Sequence, residues 1–276
     1  MKSIGKILVP VDYSAHSANA MAFAIPLAKK ANARLIIFHA FPIHIPPTSV
    51  GLGQMPVLTL EEQTQLAIQS METFLKESAI GSDVKYEKRI VPGPLVECIS
   101  EINKEEGIDL IVMGTKGATG LKETFVGSNT ARVMEDIDCA VLVVPEQAKY
   151  EPLDKIAFAY DNTEEQENEE QRMEILRSIS SLYNSYLEIV TVENPDDIED
   201  KETIENDLHA KLKGIEKKID VIVHKNVELA LYDYIDHEHV NLLTIFKQKH
   251  SFLDRLFRES LTRKLAYHVK IPLLAL

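Results

Sequence analysis

Apolar residues fall along this chain in short unbroken runs, separated by longer stretches in which they recur every three or four positions. Leu35-Ile36-Ile37-Phe38 and Ala140-Val141-Leu142-Val143-Val144 show no alternation of inside and outside positions. That is the pattern of parallel strands covered on both faces, not of a half-exposed sheet. The pattern predicts strands near residues 4–10, 33–40, 84–91, 108–113 and 139–144. Helices are predicted between them, near 15–31, 59–79, 94–106 and 127–136, with Ser14 placed to cap the first. Strict alternation of strand and helix predicts an α/β fold. Right-handed crossovers make it doubly wound, with helices on both faces and a ligand crevice at the carboxyl ends of the strands where the strand order reverses.

The same pattern then occurs again. Lys6-Ile7-Leu8-Val9-Pro10-Val11-Asp12 is matched by Lys155-Ile156-Ala157-Phe158-Ala159-Tyr160-Asp161, 149 positions later, and each run is followed by a hydroxyl residue suited to cap a helix, Ser14 or Thr163. Asp109-Leu110-Ile111-Val112-Met113 is matched by Asn241-Leu242-Leu243-Thr244-Ile245, and Ala140 to Val144 by Pro272 to Leu276, both 132 positions later without a gap. The shortfall falls in the middle of the second copy, where nothing resembles the stretch from Pro42 to Pro56. Strands of the second copy are expected near 154–160, 186–192, 219–224, 240–245 and 271–276. The chain therefore reads as two tandem domains, 1–146 and 151–276, each an open five-stranded parallel sheet.

Chemistry concentrates after the fourth strand, in Gly114-Thr115-Lys116-Gly117 and, after nine intervening residues, Gly127-Ser128-Asn129-Thr130. Glycines at 114 and 117 are expected to adopt positive φ and to bring backbone N–H groups close to anionic oxygens. Gly127 and Ser128 open the next helix, where free N–H groups, the positive end of the dipole and the Ser128 and Thr130 hydroxyls can face a phosphate chain. The competing reading is a glycine-rich turn that only joins strand to helix. The loop is not a Walker A loop, since no Gly-Lys-Ser/Thr follows the glycines at the required spacing. It is not a dinucleotide fingerprint either, since Val9-Pro10-Val11-Asp12-Tyr13-Ser14 holds no glycine.

The Gly-x-x-Gly-x9-Gly-Ser spacing, the Val9-Pro10-Val11-Asp12 opening and the closing Val141-Leu142-Val143-Val144-Pro145 together resemble the universal stress protein family. The resemblance covers residues 1–146, and the second copy resembles the same domain in degraded form. It implies strand order 3-2-1-4-5 and a site for ATP or another adenine nucleotide, with a divalent ion, Mg2+, on the phosphates. It further implies that Pro10, Val11 and Asp12 line the adenosine, with Asp12 on the ribose, and that Ala40 touches the adenine. Met113 and Gly114 would flank base and ribose, Gly117 would approach the phosphates, and Gly127, Ser128 and Asn129 would bind them. Asp12 has a plainer reading as a helper in capping the first helix. Pairing through the last strand is also implied, so residues 139–144 and 271–276 can pair within one chain as a pseudo-dimer, and a homodimer of tandem chains stays open.

In the second copy the gap-free register puts Phe246, Lys249 and Glu259 at the positions of Gly114, Gly117 and Gly127, and keeps only Ser260 for Ser128. Added side chains, one of them negative, argue against a second nucleotide. The basic residues Lys247, Lys249, His250, Arg255, Arg258 and Arg263 are read first as a solvated face. His237-Glu238-His239 is read as a polar loop, and the acidic run Glu164 to Glu174 as the solvated start of a helix. His39 is equally a packed core imidazole or a pocket residue. Pro42 to Pro56 is long enough to be a flap over the adenine side.

Bulk properties narrow the remainder. A formal charge of −13 argues against a nucleic-acid partner, whose affinity rests on Lys and Arg. No apolar run reaches the ~18 residues that span a bilayer, and the start shows no signal-peptide pattern, so a cytoplasmic protein is expected. Cys98 and Cys139 are read as buried thiols. No general base is placed beside the loop, so the expected function is ATP binding in a stress-response protein with at most slow hydrolysis. The alternative is an interaction protein whose nucleotide site is vestigial.

Overall fold

The computed structural model describes residues 3–42, 58–115, 127–160, 169–193, 195, 206, 217–246 and 271–276. The first half runs β1 (Lys6–Pro10), α1 (Ala15–Ala31), β2 (Arg34–Phe41), α2 (Leu60–Glu77), β3 (Tyr86–Pro92), α3 (Leu95–Glu106), β4 (Leu110–Gly114), α4 (Ser128–Asp136) and β5 (Ala140–Val144). The second half holds β6 (Lys155–Ala159), α5 (Glu169–Tyr183), β7 (Tyr186–Glu193), β8 (Lys217–Val223), α6 (Val227–Glu238), β9 (Leu242–Ile245) and β10 (Leu273–Ala275). Every strand lies within two residues of its expected start. The expected Ser14 cap is present, its side chain accepting from the Ser17 N–H. The acidic run is only partly covered: residues 164–168 lie outside the described residues, and Glu170 is paired with Arg177 at 2.8 Å.

The strands form one ten-stranded sheet in the order β3-β2-β1-β4-β5-β10-β9-β6-β7-β8. Each half contributes the order 3-2-1-4-5, parallel throughout, and the halves join where β5 and β10 pair antiparallel through Val141↔Ala275, Leu142↔Leu274 and Val143↔Leu273. The apolar runs are buried on both faces, as their lack of alternation requires. One layer lies on the face of α1, α2 and α5 and is continuous across the junction, from Ile4 and Val9 through Leu142 and Leu274 to Phe158 and Leu187. The other, under α3, α4 and α6, gathers Leu8, Phe38, Met113, Val141, Ile235 and Leu273.

The two halves share their amino-end ties as well as their topology. Asp109 Oδ2 accepts from the N–H groups of Gly5 and Lys6 at 2.9 and 3.0 Å, and Asn241 Oδ1 accepts from that of Lys155 at 3.0 Å. The Lys6 ammonium donates to the carbonyl and carboxylate of Glu106 at the end of α3, and Lys155 does the same to Glu238 at the end of α6. Around Glu106 the first half adds Arg34 and Arg89. The hydrogen bond from Lys6, with the positive charge of Arg89 beside it, holds the Glu106 carboxyl below its ordinary range. The second half instead gives Lys155 a buried partner in Glu188 at 2.9 Å, which also lies 3.0 Å from the Tyr234 hydroxyl.

Two predictions follow from these contacts. A carboxyl whose titration is lowered by folding stabilises the fold above its unfolded pKa, and that contribution disappears as pH falls through the folded value. Glu106→Gln should therefore melt below the wild type at neutral pH, and the gap between the two melting curves should close below about pH 4. Thr244, in β9, is 0% exposed and its hydroxyl has no hydrogen-bond partner among the described residues. Thr244→Val keeps the shape and removes the orphaned group, so it should stabilise the protein by about 1 kcal/mol in denaturant titration.

Candidate functional site

The crevice at the carboxyl end of the first half begins at Pro10. Even-numbered residues of β1 face β4, since the Asp109 N–H bonds the Lys6 carbonyl, and odd-numbered ones face β2, since the Val11 N–H bonds the Phe38 carbonyl at 2.7 Å. Pro10 has no N–H to offer β4. The β1–β4 ladder accordingly stops at Ile7↔Leu110 and Leu8↔Ile111, although β4 continues to Gly114. Ala159 occupies the matching place in the second half, and there β6 and β9 stay paired from Ile156↔Leu242 to Ala159↔Ile245. At the point where strand order reverses, the ladder is therefore shorter in the first half than in the second.

Beyond β1 the chain makes a strained, well-tied turn. The Val11 carbonyl lies 2.7 Å from His39 Nδ1; a carbonyl only accepts, so Nδ1 carries the proton. Asp12 Oδ1 accepts from the Ser14 N–H at 3.1 Å and from its hydroxyl at 2.6 Å, which is the capping role in place. Tyr13 takes a left-handed conformation with φ of 65°, uncommon for a bulky residue. It is held by its hydroxyl donating to the Ala67 carbonyl of α2 and by its ring lying 4.4 Å from that of His39 and 5.8 Å from that of Phe74. Burial pushes the Tyr13 phenol well up.

The glycine loop enters and leaves through a closed base. Thr115 N–H donates to the Val144 carbonyl at 3.1 Å, Gly127 N–H donates to the Thr115 carbonyl, and the Thr130 hydroxyl donates to the Gly114 carbonyl at 2.8 Å. Two expectations change here. Gly114 is not in the positive-φ region; it is small because a Cβ there would stand 2.8 Å from the His16 carbonyl oxygen of α1. The Thr130 side chain, expected to face phosphate, is buried and turned to Gly114. Gly117 lies outside the described residues. Among the described residues no side chain caps α4, which begins on Gly127, or α3, which begins on Pro94, whereas α1, α2 and α6 are capped by Ser14, Thr59 and Asn226. Ser128 and Asn129 are exposed at its first turn.

The remaining candidates divide between the two faces. Ala40 and Met113, the latter 5% exposed, belong to the layer under α3 and α4, the face that α4 opens on. Val11 is buried in the opposite layer. In the second half, Phe246 stands at the place of Gly114, buried at 6% exposure with its ring edge-on to Phe158 at 5.1 Å; Phe158 in turn leans on Tyr160. Aromatic rings thus fill the ground that α1 covers in the first half. Asp161, Lys249, Glu259, Ser260, the basic cluster and 43–57 of the presumed flap lie outside the described residues.

Other expectations sort as follows. His237 and Glu238 end α6 and His239 caps it in a left-handed conformation, so the segment is a helix terminus and not a loop. Among the described residues no group of three His, Cys, Asp or Glu is placed to hold a metal ion, and no helix is long and apolar enough to cross a membrane. Cys98 is buried and Cys139 only partly so. The ladder break and the His16 contact escaped sequence reasoning. The exchange of Pro10 for Ala159 between the copies was the signal that announces the first.

Residues 3–145 match the model of the universal stress protein family. The chain is 31% identical over 155 residues to the universal stress protein Sll1388 of Synechocystis, covering 51% of this chain and 97% of that one. It is 33% identical over 144 residues to YxiE of Bacillus subtilis, covering 50% and 97%. Along its full length it is similar in fold to the crystal structure of a universal stress protein from Archaeoglobus fulgidus, with a TM-score of 0.73 at 16% identity and coverage of 100% and 98%.

The His16 contact makes its own prediction. Gly114→Ala drives a methyl into backbone and should destabilise the fold by about 1–3 kcal/mol, as overpacking does, in urea denaturation. Gly107→Ala, where nothing lies within 4 Å, should cost only the left-handed strain, about 1–2 kcal/mol.

Proposed function

The chain belongs to the universal stress protein family, and on that premise we propose that its first half, residues 1–146, binds ATP or another adenine nucleotide with Mg2+, while residues 151–276 serve as a packing or regulatory partner without a nucleotide of their own. The observation that carries this reading is the ladder break. The hydrogen-bonded ladder ends at Leu8 and Ile111 in the first half, at the place where such sheets take their ligands, and continues to Ala159 and Ile245 in the second.

In this reading the adenosine enters between the ends of β1 and β4, with Pro10, Val11 and Ala40 about the base, Asp12 at the ribose, and Met113 and Gly114 beside it. The phosphates lie against the first turn of α4, at Gly127, Ser128 and Asn129, where the N–H groups of Ser128 and Asn129 face out while that of Gly127 is given to the Thr115 carbonyl. Gly117 would complete the cradle, and Mg2+ would ride on the phosphates. The His39 and Tyr13 contacts keep the Val11-Asp12-Tyr13 turn in one conformation before the ligand arrives, which lowers the ordering cost of binding. This is a binding module, with hydrolysis slow at most.

A second reading has support of its own. Gly114 is accounted for by α1, and Asp12 and Thr130 by bonds within the fold, as they would be in an interaction protein with a vestigial site. Nucleotide released on denaturing the purified protein and resolved by anion exchange separates the two.

Calorimetry with ATP and Mg2+ should give a heat of binding at one nucleotide per chain. Pro10→Ala, which restores the missing donor to β1, should weaken affinity about tenfold, the worth of one hydrogen bond that must now be broken. Gly127→Glu, which copies the residue of the second half, should abolish binding. No heat with the wild type, or unchanged affinity in both variants, would overturn the proposal.

A further inference from the structure

We propose that the segment joining the halves, Pro145 to Tyr150, is a strap that couples occupancy of the first-half crevice to the packing of α5 in the second half; this rests on the nucleotide reading above. The strap starts at the base of the glycine loop, since the residue before it, Val144, accepts from the Thr115 N–H. It is then held by α1. The Asn19 side-chain amide has two hydrogens, and it places them on the carbonyls of Pro145 at 2.8 Å and Ala148 at 3.1 Å. Glu146 Oε2 lies 3.3 Å from His16 Nε2, and the His16 carbonyl is the group that packs on Gly114. Asn19 and His16 sit on adjacent turns of α1, so the end of β4, the first turns of α1 and the strap move as one body.

The far end of the strap reaches the second half through Tyr150. Its ring stands edge-on to Phe23 of α1 at 5.5 Å, and its hydroxyl lies 3.0 Å from that of Tyr183, the last residue of α5. Lys30 of α1 adds its ammonium 4.8 Å over the Tyr183 ring. Burial, with the Tyr150 hydroxyl bond beside it, pushes the Tyr183 phenol far up, which keeps Tyr183 neutral. Ligand that stiffens the end of β4 therefore stiffens α1, and α1 holds both the strap and the end of α5.

Hydrogen–deuterium exchange of the full chain, run beside calorimetry, tests the strap. ATP with Mg2+ should slow exchange in peptides of Glu169–Tyr183 about fivefold, the scale of one added hydrogen bond. Asn19→Ala should bind ATP with affinity within about threefold of wild type and lose that protection, and Tyr150→Phe, which keeps the ring on Phe23 but removes the hydroxyl, should lose it too. Heat of binding with no change in α5 exchange overturns the strap and leaves the nucleotide reading intact. Without nucleotide, both variants should exchange faster than wild type in α5. Unchanged exchange there overturns the strap even if no ATP binds, an outcome that by itself would overturn only the nucleotide reading.

Discussion

Three antiparallel residue pairs between β5 and β10 hold the two halves in one sheet. Each of those strands would otherwise be an edge, with a row of unpaired amides and a set of leucines and valines at its side. Joining them removes both edges at once and lets the apolar layer under α1 and α5 run unbroken through Leu142 and Leu274. The remaining edges, β3 and β8, lie at opposite ends of the sheet. They carry charges, Lys88 and Arg89 on one and Lys217, Lys218 and Asp220 on the other, as strands without a neighbour commonly do.

Around that junction the halves have kept one end and changed the other. At the amino ends the same ties recur with only the chemistry of the acceptor altered: Asp109 and Asn241 hold the start of the first strand, Glu106 and Glu238 hold its lysine. At the carboxyl ends, Pro10 has become Ala159, Gly114 has become Phe246, and the His39 bond to Val11 has become a Thr191 hydroxyl bond to the Tyr160 carbonyl at 3.3 Å. The amino-end contacts serve folding, which both halves need. The carboxyl-end contacts differ between the halves, and in the second they include the packed rings of Phe246, Phe158 and Tyr160.

The division also explains why the site is difficult to read one residue at a time. Gly114 and Asp12 are each satisfied by the fold: the first by the approach of α1, the second by the Ser14 hydroxyl. Their meaning comes from where they stand, beyond the last β1–β4 ladder pair and beside the first turn of α4.

The sequence by itself determined the strand and helix order, because continuous apolar runs and helical periodicity follow from local burial, and it determined the repeat, because two copies of one pattern need the same registers. Expected and observed elements coincide closely from β1 to β10, and the offsets that align the copies recur in the strand pairs Ile7↔Leu110 and Ile156↔Leu242. Only the tertiary structure decided why Gly114 is glycine, where the Thr130 hydroxyl points, and that His16 and Asn19 tie α1 to the segment between the halves. Those facts depend on which backbone the fold brings opposite each residue, and no local pattern carries that information.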